Sequence, residues 1–171
     1  MELIEHFKDN ETFSLTQDVA QTLPVFCPAS GEQIREVLNA SDEEINEIVA
    51  SSKKASVQWG VTSIATRINI LFEFRKLLNE NKENIARIIS EEHGKVYSDA
   101  LGEVQRGLEV VDFACGIGEN LKGEFSFNVS SGVDVISLRF PLGVIAGITP
   151  FNFPAMVPLW MHPIAIACGN A

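Results

Sequence analysis

Apolar residues recur at helical spacing through much of the chain and then change period. Ile45, Ile48, Val49, Ser52 and Trp59 fall on one side of a helix that opens with Ser41-Asp42-Glu43-Glu44. That opening is a capping-box pattern, in which the Ser and Glu side chains close each other's free N–H groups. Thr62 is placed to cap a second helix, where Ile64, Ile68, Leu71, Phe74 and Leu78 repeat, and Ile85, Ile88 and Ile89 define a third that stops at Gly94. A fourth helix, over about 98–120, carries one stripe of Leu101, Val104, Leu108, Val111 and Cys115 and another of Val110, Phe113 and Ile117. Two stripes predict a helix lying between two partners.

Beyond this region the period drops to two. Phe125, Phe127 and Val129 alternate, Ser130-Ser131-Gly132 can turn the chain, and Val133 to Phe140 alternates back, which predicts a hairpin. After Pro141, the run Val144 to Ile148 is continuously apolar, as in a strand buried on both faces, and residues 153–168 read as helix. Residues 1–30, with Pro24 and Pro28 around Cys27, read as an irregular extended arm. The order is therefore an arm (1–30), helices (31–123), a hairpin (124–140), and the first strand and helix of an α/β sheet (141–171).

Composition narrows the classes. A chain of 171 residues, 46% hydrophobic and 21% charged, is expected to form one domain with a real core rather than a disordered or collagenous one. The net charge of −10 lies wholly upstream of Phe140 and disfavours nucleic acid and anionic membrane surfaces as partners. Cys27, Cys115 and Cys168 form no C-x-x-C pair and have no His at ligand spacing, so neither a disulfide framework nor a metal site is indicated. A reducing compartment fits, and the acidic start Met1-Glu2-Leu3-Ile4-Glu5 has no signal-peptide character, so the expected location is cytoplasmic.

The charge-free segment from Phe140 is long enough to span a bilayer. Pro150, Pro154, Pro158 and Pro163 interrupt it, and no basic flank marks an interface, so a buried βα unit is the better reading. In such a unit, ligands sit beyond the C-terminal end of the strand, where residues 149–153 fall. Pro150 stiffens that turn, and Pro154 suits the first helical position. Asn152 is then either a plain helix N-cap or an amide that donates to a developing oxyanion. Arg106 is either a surface cation paired with Glu103 or Glu109, or, because it continues the second apolar stripe, a residue turned toward a ligand. No G-x-G-x-x-G or P-loop is present, so spacing alone names no cofactor. His93, His162, Cys115 and Cys168 read as packing residues.

Pro141-Leu-Gly-Val-Ile-Ala-Gly-Ile-Thr-Pro-Phe-Asn-Phe-Pro-Ala-Met-Val-Pro-Leu-Trp-Met161, with Pro-Ala-Ser-Gly-Glu32, Glu-His-Gly-Lys95 and Ala-Leu-Gly-Glu-Val-Gln-Arg-Gly107 upstream, resembles the aldehyde dehydrogenase superfamily. Phe151, where most of that superfamily has Trp, is similar to the CoA-acylating branch that oxidises methylmalonate and malonate semialdehydes. Cys27 departs from the Asn of the family pattern. The resemblance implies the first βα unit of an incomplete Rossmann-like NAD-binding domain, preceded by a hairpin of the arm that joins subunits, and hence a homo-oligomer. It implies NAD contacts from Thr149, Pro150 and Phe151, an oxyanion donor in Asn152, and a contact from Arg106 to the carboxylate of a small semialdehyde, with NAD as oxidant and CoA as acyl acceptor. The family's nucleophilic Cys and Glu base have no counterpart in the matching stretches. The expectation is an N-terminal part that is inactive by itself and self-associates through residues 141–171. The alternatives are part of a non-acylating aldehyde dehydrogenase, or a truncated protein that pairs with full-length subunits.

Overall fold

The computed structural model describes residues 2–14 and 22–171, a mixed α/β arrangement of four helices and small sheets. Part of the predicted arm, residues 15–21, lies outside the described residues. The rest of it is strand rather than irregular chain: β1 (Glu2–Ile4), β2 (His6–Lys8), β3 (Glu11–Phe13) and β4 (Thr22–Phe26). A fifth strand, β5 (Gln33–Leu38), lies between β1, which it meets in parallel, and β4, which it meets antiparallel. These strands bury little: Leu3, Phe7, Leu23 and Phe26 are all exposed. With no buried face to impose a period of two, the residues carried no readable alternation; pairing with β5 orders β1 and β4, and β2 and β3 pair antiparallel with each other. Pro24 sits in β4, at the sheet edge, where a missing N–H is tolerated.

The helix α1 (Asp42–Val61) begins with the predicted capping box: Ser41 Oγ accepts from Glu44 N at 3.2 Å, and Glu44 Oε2 accepts from Ser41 N at 2.8 Å. Its apolar stripe is only partly covered, with Ile45 and Val49 about half exposed. The second and third predicted helices are one, α2 (Ile64–His93), of 30 residues. The polar run from Asn79 to Asn84 that suggested a break contains neither Gly nor Pro, so nothing in it stops the i→i+4 ladder. Ser63, not Thr62, is its cap; the Thr62 hydroxyl donates back to Gln58 O. Gly94, at φ 75°, ends the helix in the left-handed conformation that glycine tolerates.

The helix α3 (Tyr97–Cys115) packs between α2 and α4 (Met156–Ala167), as its two stripes predict. The core forms along its first stripe, where Val104, Leu108 and Val111 are fully enclosed against Leu71, Leu78 and Ile89 of α2 and Ala167 of α4. The second stripe is less covered: Phe113 stays half exposed. A short 3₁₀ turn (Ile117–Glu119) follows. The hairpin then forms from β6 (Phe125–Ser130) and β7 (Val133–Ile136), so the return strand stops short of Phe140. Its register shifts at a bulge where Asn128, at φ 50°, donates its N–H to Asp134 and accepts that of Gly132.

Residues 144–148 do not form the doubly buried strand that was expected. They form no strand; beside them, Ile145 N donates to Ala171 O at 2.8 Å and Ala171 N donates to Gly143 O at 2.9 Å. These two bonds have the pattern of a single parallel bridge. Asn170 reinforces the junction, its Oδ1 accepting from Leu142 N and Gly143 N and its Nδ2 donating to Ala165 O. Among the described residues no helix is long and apolar enough to cross a membrane.

The contact between α3 and α4 is closest at Gly107, where a Cβ would stand 2.5 Å from Leu159 Cδ1 and 3.2 Å from Leu159 Cβ. Gly107→Ala is therefore expected to destabilise the protein by about 1–3 kcal/mol despite the higher helix propensity of alanine, read as a lowered urea midpoint.

Candidate functional site

The turn that carries Asn152 is held from outside. The helix α4 starts at Met156, two residues later than Pro154 would allow as its first position, and its cap residue, Ala155, has no capping side chain. The acceptor comes instead from α3. Glu103 Oε1 accepts from Ala155 N at 2.8 Å and from Met156 N at 3.1 Å, closing the helix N-terminus with a carboxylate that is wholly buried. Its other oxygen, Oε2, accepts from Lys95 Nζ at 2.5 Å. The same ammonium donates to Asn152 O at 3.0 Å and lies 4.5 Å from the centre of the Phe153 ring.

Burial alone would push the Glu103 carboxyl up. The bond from Lys95, the two backbone N–H groups and the Lys95 charge outweigh burial and hold it below its ordinary value.

Asn152 is thereby freed from the role of helix cap. Its side-chain amide makes no hydrogen bond among the described residues, and Asn152 lines a cavity of about 480 Å³ together with Lys95, Ser98, Asp99, Gly102, Arg106 and Phe153. Arg106 is exposed there and makes no ion pair among the described residues; the Glu103 it was expected to meet is committed to Lys95 and α4. Its guanidinium lies 5.8 Å from the Phe153 ring, on which Lys95 also packs. One amide donor and one unpaired guanidinium thus share a cavity.

Phe151, Pro154 and Ala155 line a second, more apolar cavity of about 770 Å³ with Ile85, Ile89 and His93 of α2. The Phe151 ring is 89% exposed, and Thr149 and Pro150 are exposed beside it. A hydroxyl and an open aromatic face are groups that suit the edge of a nucleotide. The N–H groups of Ala155 and Met156, by contrast, are already bonded to Glu103, so they are not the open anion site expected of a helix N-terminus. Cys115 is core, its thiol pushed up by burial and by Asp112, while Cys168 packs against the same cluster; none of the three cysteines lines the Asn152 cavity.

Lys95 and Glu103 were missed as site residues. The signal for Glu103 was present: a carboxylate one position before Val104, in phase with the buried stripe of Ala100, Gly107 and Val111.

The turn before α4 thus places Asn152 and Arg106 at one cavity, and the class of protein follows from comparison of the whole chain with known ones. The aldehyde dehydrogenase family model matches residues 15–171, and the chain belongs to that family. It is 47% identical over 156 residues to malonate-semialdehyde dehydrogenase of Pseudomonas aeruginosa, covering 91% of this chain and 31% of that protein. It is 45% identical over 148 residues to the mitochondrial methylmalonate-semialdehyde dehydrogenase [acylating] of Arabidopsis thaliana, covering 86% of this chain and 24% of that one. The crystal structure of methylmalonate-semialdehyde dehydrogenase from Oceanimonas doudoroffii matches with a TM-score of 0.94 at 43% identity, over 100% of this chain and 34% of that one. A Sinorhizobium meliloti structure assigned to the same activity and complexed with NAD matches with a TM-score of 0.94 at 42% identity, over 100% of this chain and 34% of that one. The chain spans about a third of the length of these bacterial relatives.

Removing the Glu103 carboxylate leaves Lys95 and two N–H groups unpaired, and Glu103→Ala is expected to cost about 3–5 kcal/mol. Because its carboxyl lies below the ordinary value of 4.5 in the fold, its contribution is complete above that value and declines as pH falls through the lowered one. Urea midpoints measured between about pH 3 and 6 should fall more steeply with acid in the wild type than in Glu103→Gln.

Proposed function

We propose that this chain supplies the carbonyl-binding and carboxylate-binding residues of an NAD-dependent, CoA-acylating dehydrogenase of methylmalonate or malonate semialdehyde. The observation that carries the reading is that Asn152 and Arg106, whose amide and guanidinium have no hydrogen-bond or ion-pair partner among the described residues, line one cavity. A semialdehyde of this class has two polar ends, an aldehyde and a carboxylate, separated by one carbon, and the two side chains match them in chemistry. The names of the relatives from Pseudomonas aeruginosa and Arabidopsis thaliana point to the same substrates.

In this reading Asn152 Nδ2–H donates to the aldehyde oxygen as a thiolate adds to the carbonyl carbon. The amide gains most when that oxygen becomes anionic, so its contribution is to the transition state rather than to binding. Arg106 fixes the carboxylate and, through it, the orientation of the carbonyl. Lys95 and Glu103 position Asn152 by holding residues 152–156 from the α3 side.

Thr149, Pro150 and Phe151 would hold NAD, which would supply the hydride acceptor for the carbon bonded to the thiol; the acyl group of the resulting thioester would pass to CoA and the thiol would be freed. The word acylating in the name of the Arabidopsis thaliana relative supports CoA over water as the acceptor. None of the three cysteines lines the cavity, so in this reading none of them supplies the thiolate that attacks the aldehyde. The exposed apolar residues of the hairpin, Phe125, Phe127 and Val129 among them, support a homo-oligomer joined through β6 and β7.

The test uses the full gene product. Asn152→Ala should lower kcat by about 10²–10³ with KM little changed. Arg106→Leu should raise KM for a semialdehyde acid and leave a carboxylate-free aldehyde of similar size unaffected. Acyl-CoA, identified by mass, should appear only when CoA is supplied; free acid in its place would indicate the non-acylating alternative.

A further inference from the structure

Helices select against glycine, and each glycine inside one invites an explanation. Gly107 is explained by Leu159, and Gly60 of α1 by Pro141, whose Cγ would stand 3.1 Å from a Cβ at that position. Gly102, in the first half of α3, is not explained by packing among the described residues, where a Cβ would meet nothing within 4 Å. The empty space is the cavity itself, since Gly102 lines it together with Arg106 and Asn152.

Ser98, Gly102 and Arg106 follow one another at intervals of four along a single face of the helix, and all three line the cavity. Long helical side chains lean toward the helix N-terminus, so the stem of Arg106 is directed over the surface that Gly102 leaves bare.

We propose that Gly102 is a specificity-determining residue, whose missing side chain leaves room beside Arg106 for a substituent on the carbon between the substrate's carboxylate and its aldehyde. The inference rests on the functional reading above and deepens it. With Arg106 at one end of the substrate and Asn152 at the other, that central carbon lies between them, along the wall to which Gly102 contributes. An unsubstituted semialdehyde acid does not need the space, and a methyl-substituted one does. The site therefore takes both, and a side chain at position 102 removes the second before the first.

Gly102→Ala and Gly102→Val, made in the full gene product, test this against malonate semialdehyde and 2-methylmalonate semialdehyde. Gly102→Ala should melt at a higher temperature, because alanine favours the helix and meets no neighbour, while kcat/KM for the methyl-substituted substrate falls about tenfold relative to the unsubstituted one. Gly102→Val should widen that ratio. A ratio unchanged in both variants, with the wild type active on both substrates, overturns the proposal and leaves the functional reading standing. A wild type that oxidises neither overturns the functional reading. In that case titration with malonate and methylmalonate still decides Gly102: selective loss of methylmalonate binding supports it, and parallel loss, unchanged affinity or no binding overturns it.

Discussion

A single buried carboxylate organises the part of this structure on which function rests. Glu103 joins its own helix to the loop bearing Lys95, eight residues earlier, and to the turn leading into α4, more than fifty residues later. Ionised burial is costly for a carboxylate unless its oxygens are filled, and here one oxygen takes two backbone N–H groups while the other takes an ammonium. The same contacts explain why α4 begins where it does. A helix with an alanine at its cap has nothing local to close its N-terminus, and Glu103 closes it from the neighbouring layer. Asn152 is consequently available for chemistry, since the role that an Asn before a helix would ordinarily fill is already taken.

Local features were legible in the sequence wherever a short-range rule fixes the outcome. The Ser41–Glu44 box, the glycine stop at Gly94, the central placement of α3 and the hairpin turn at Ser130–Gly132 all follow from neighbours within a few residues. Elements that depend on distant partners were not legible. The strands β1 and β4 owe their order to β5 and bury almost nothing, so hydrophobic periodicity was silent. The long α2 was divided in two because a polar run was read as a break, although it lacks a helix-breaking residue. At the proposed site, spacing left Asn152 open between helix cap and oxyanion donor and Arg106 open between surface cation and ligand contact, and only the family resemblance favoured the second of each. The arrangement that leaves both of them unengaged, through Lys95 and Glu103, involves contacts across as many as 57 residues of sequence.

The charge-free end of the chain is less enclosed than its composition suggests. Met156, Pro163 and Ala167 are buried against α3, while Leu142, Ile148 and Phe151 are almost fully exposed. The buried residues lie on α4, on the side that meets its helical neighbour, and the exposed ones lie in the segment that bridges to Ala171 alone. The Asn170 side chain ties these two parts together at the far end of α4, as Glu103 does at the near end.

The central claim is that Lys95 acts through Asn152. A double-mutant cycle on kcat in the full gene product tests it most directly, comparing Lys95→Met, Asn152→Ala and the two combined, with folding checked by circular dichroism. If Lys95 serves to position the amide, Lys95→Met lowers kcat in the wild-type background and has no further effect once Asn152 is alanine. Two losses that multiply independently would contradict the account and place Lys95 elsewhere in the chemistry.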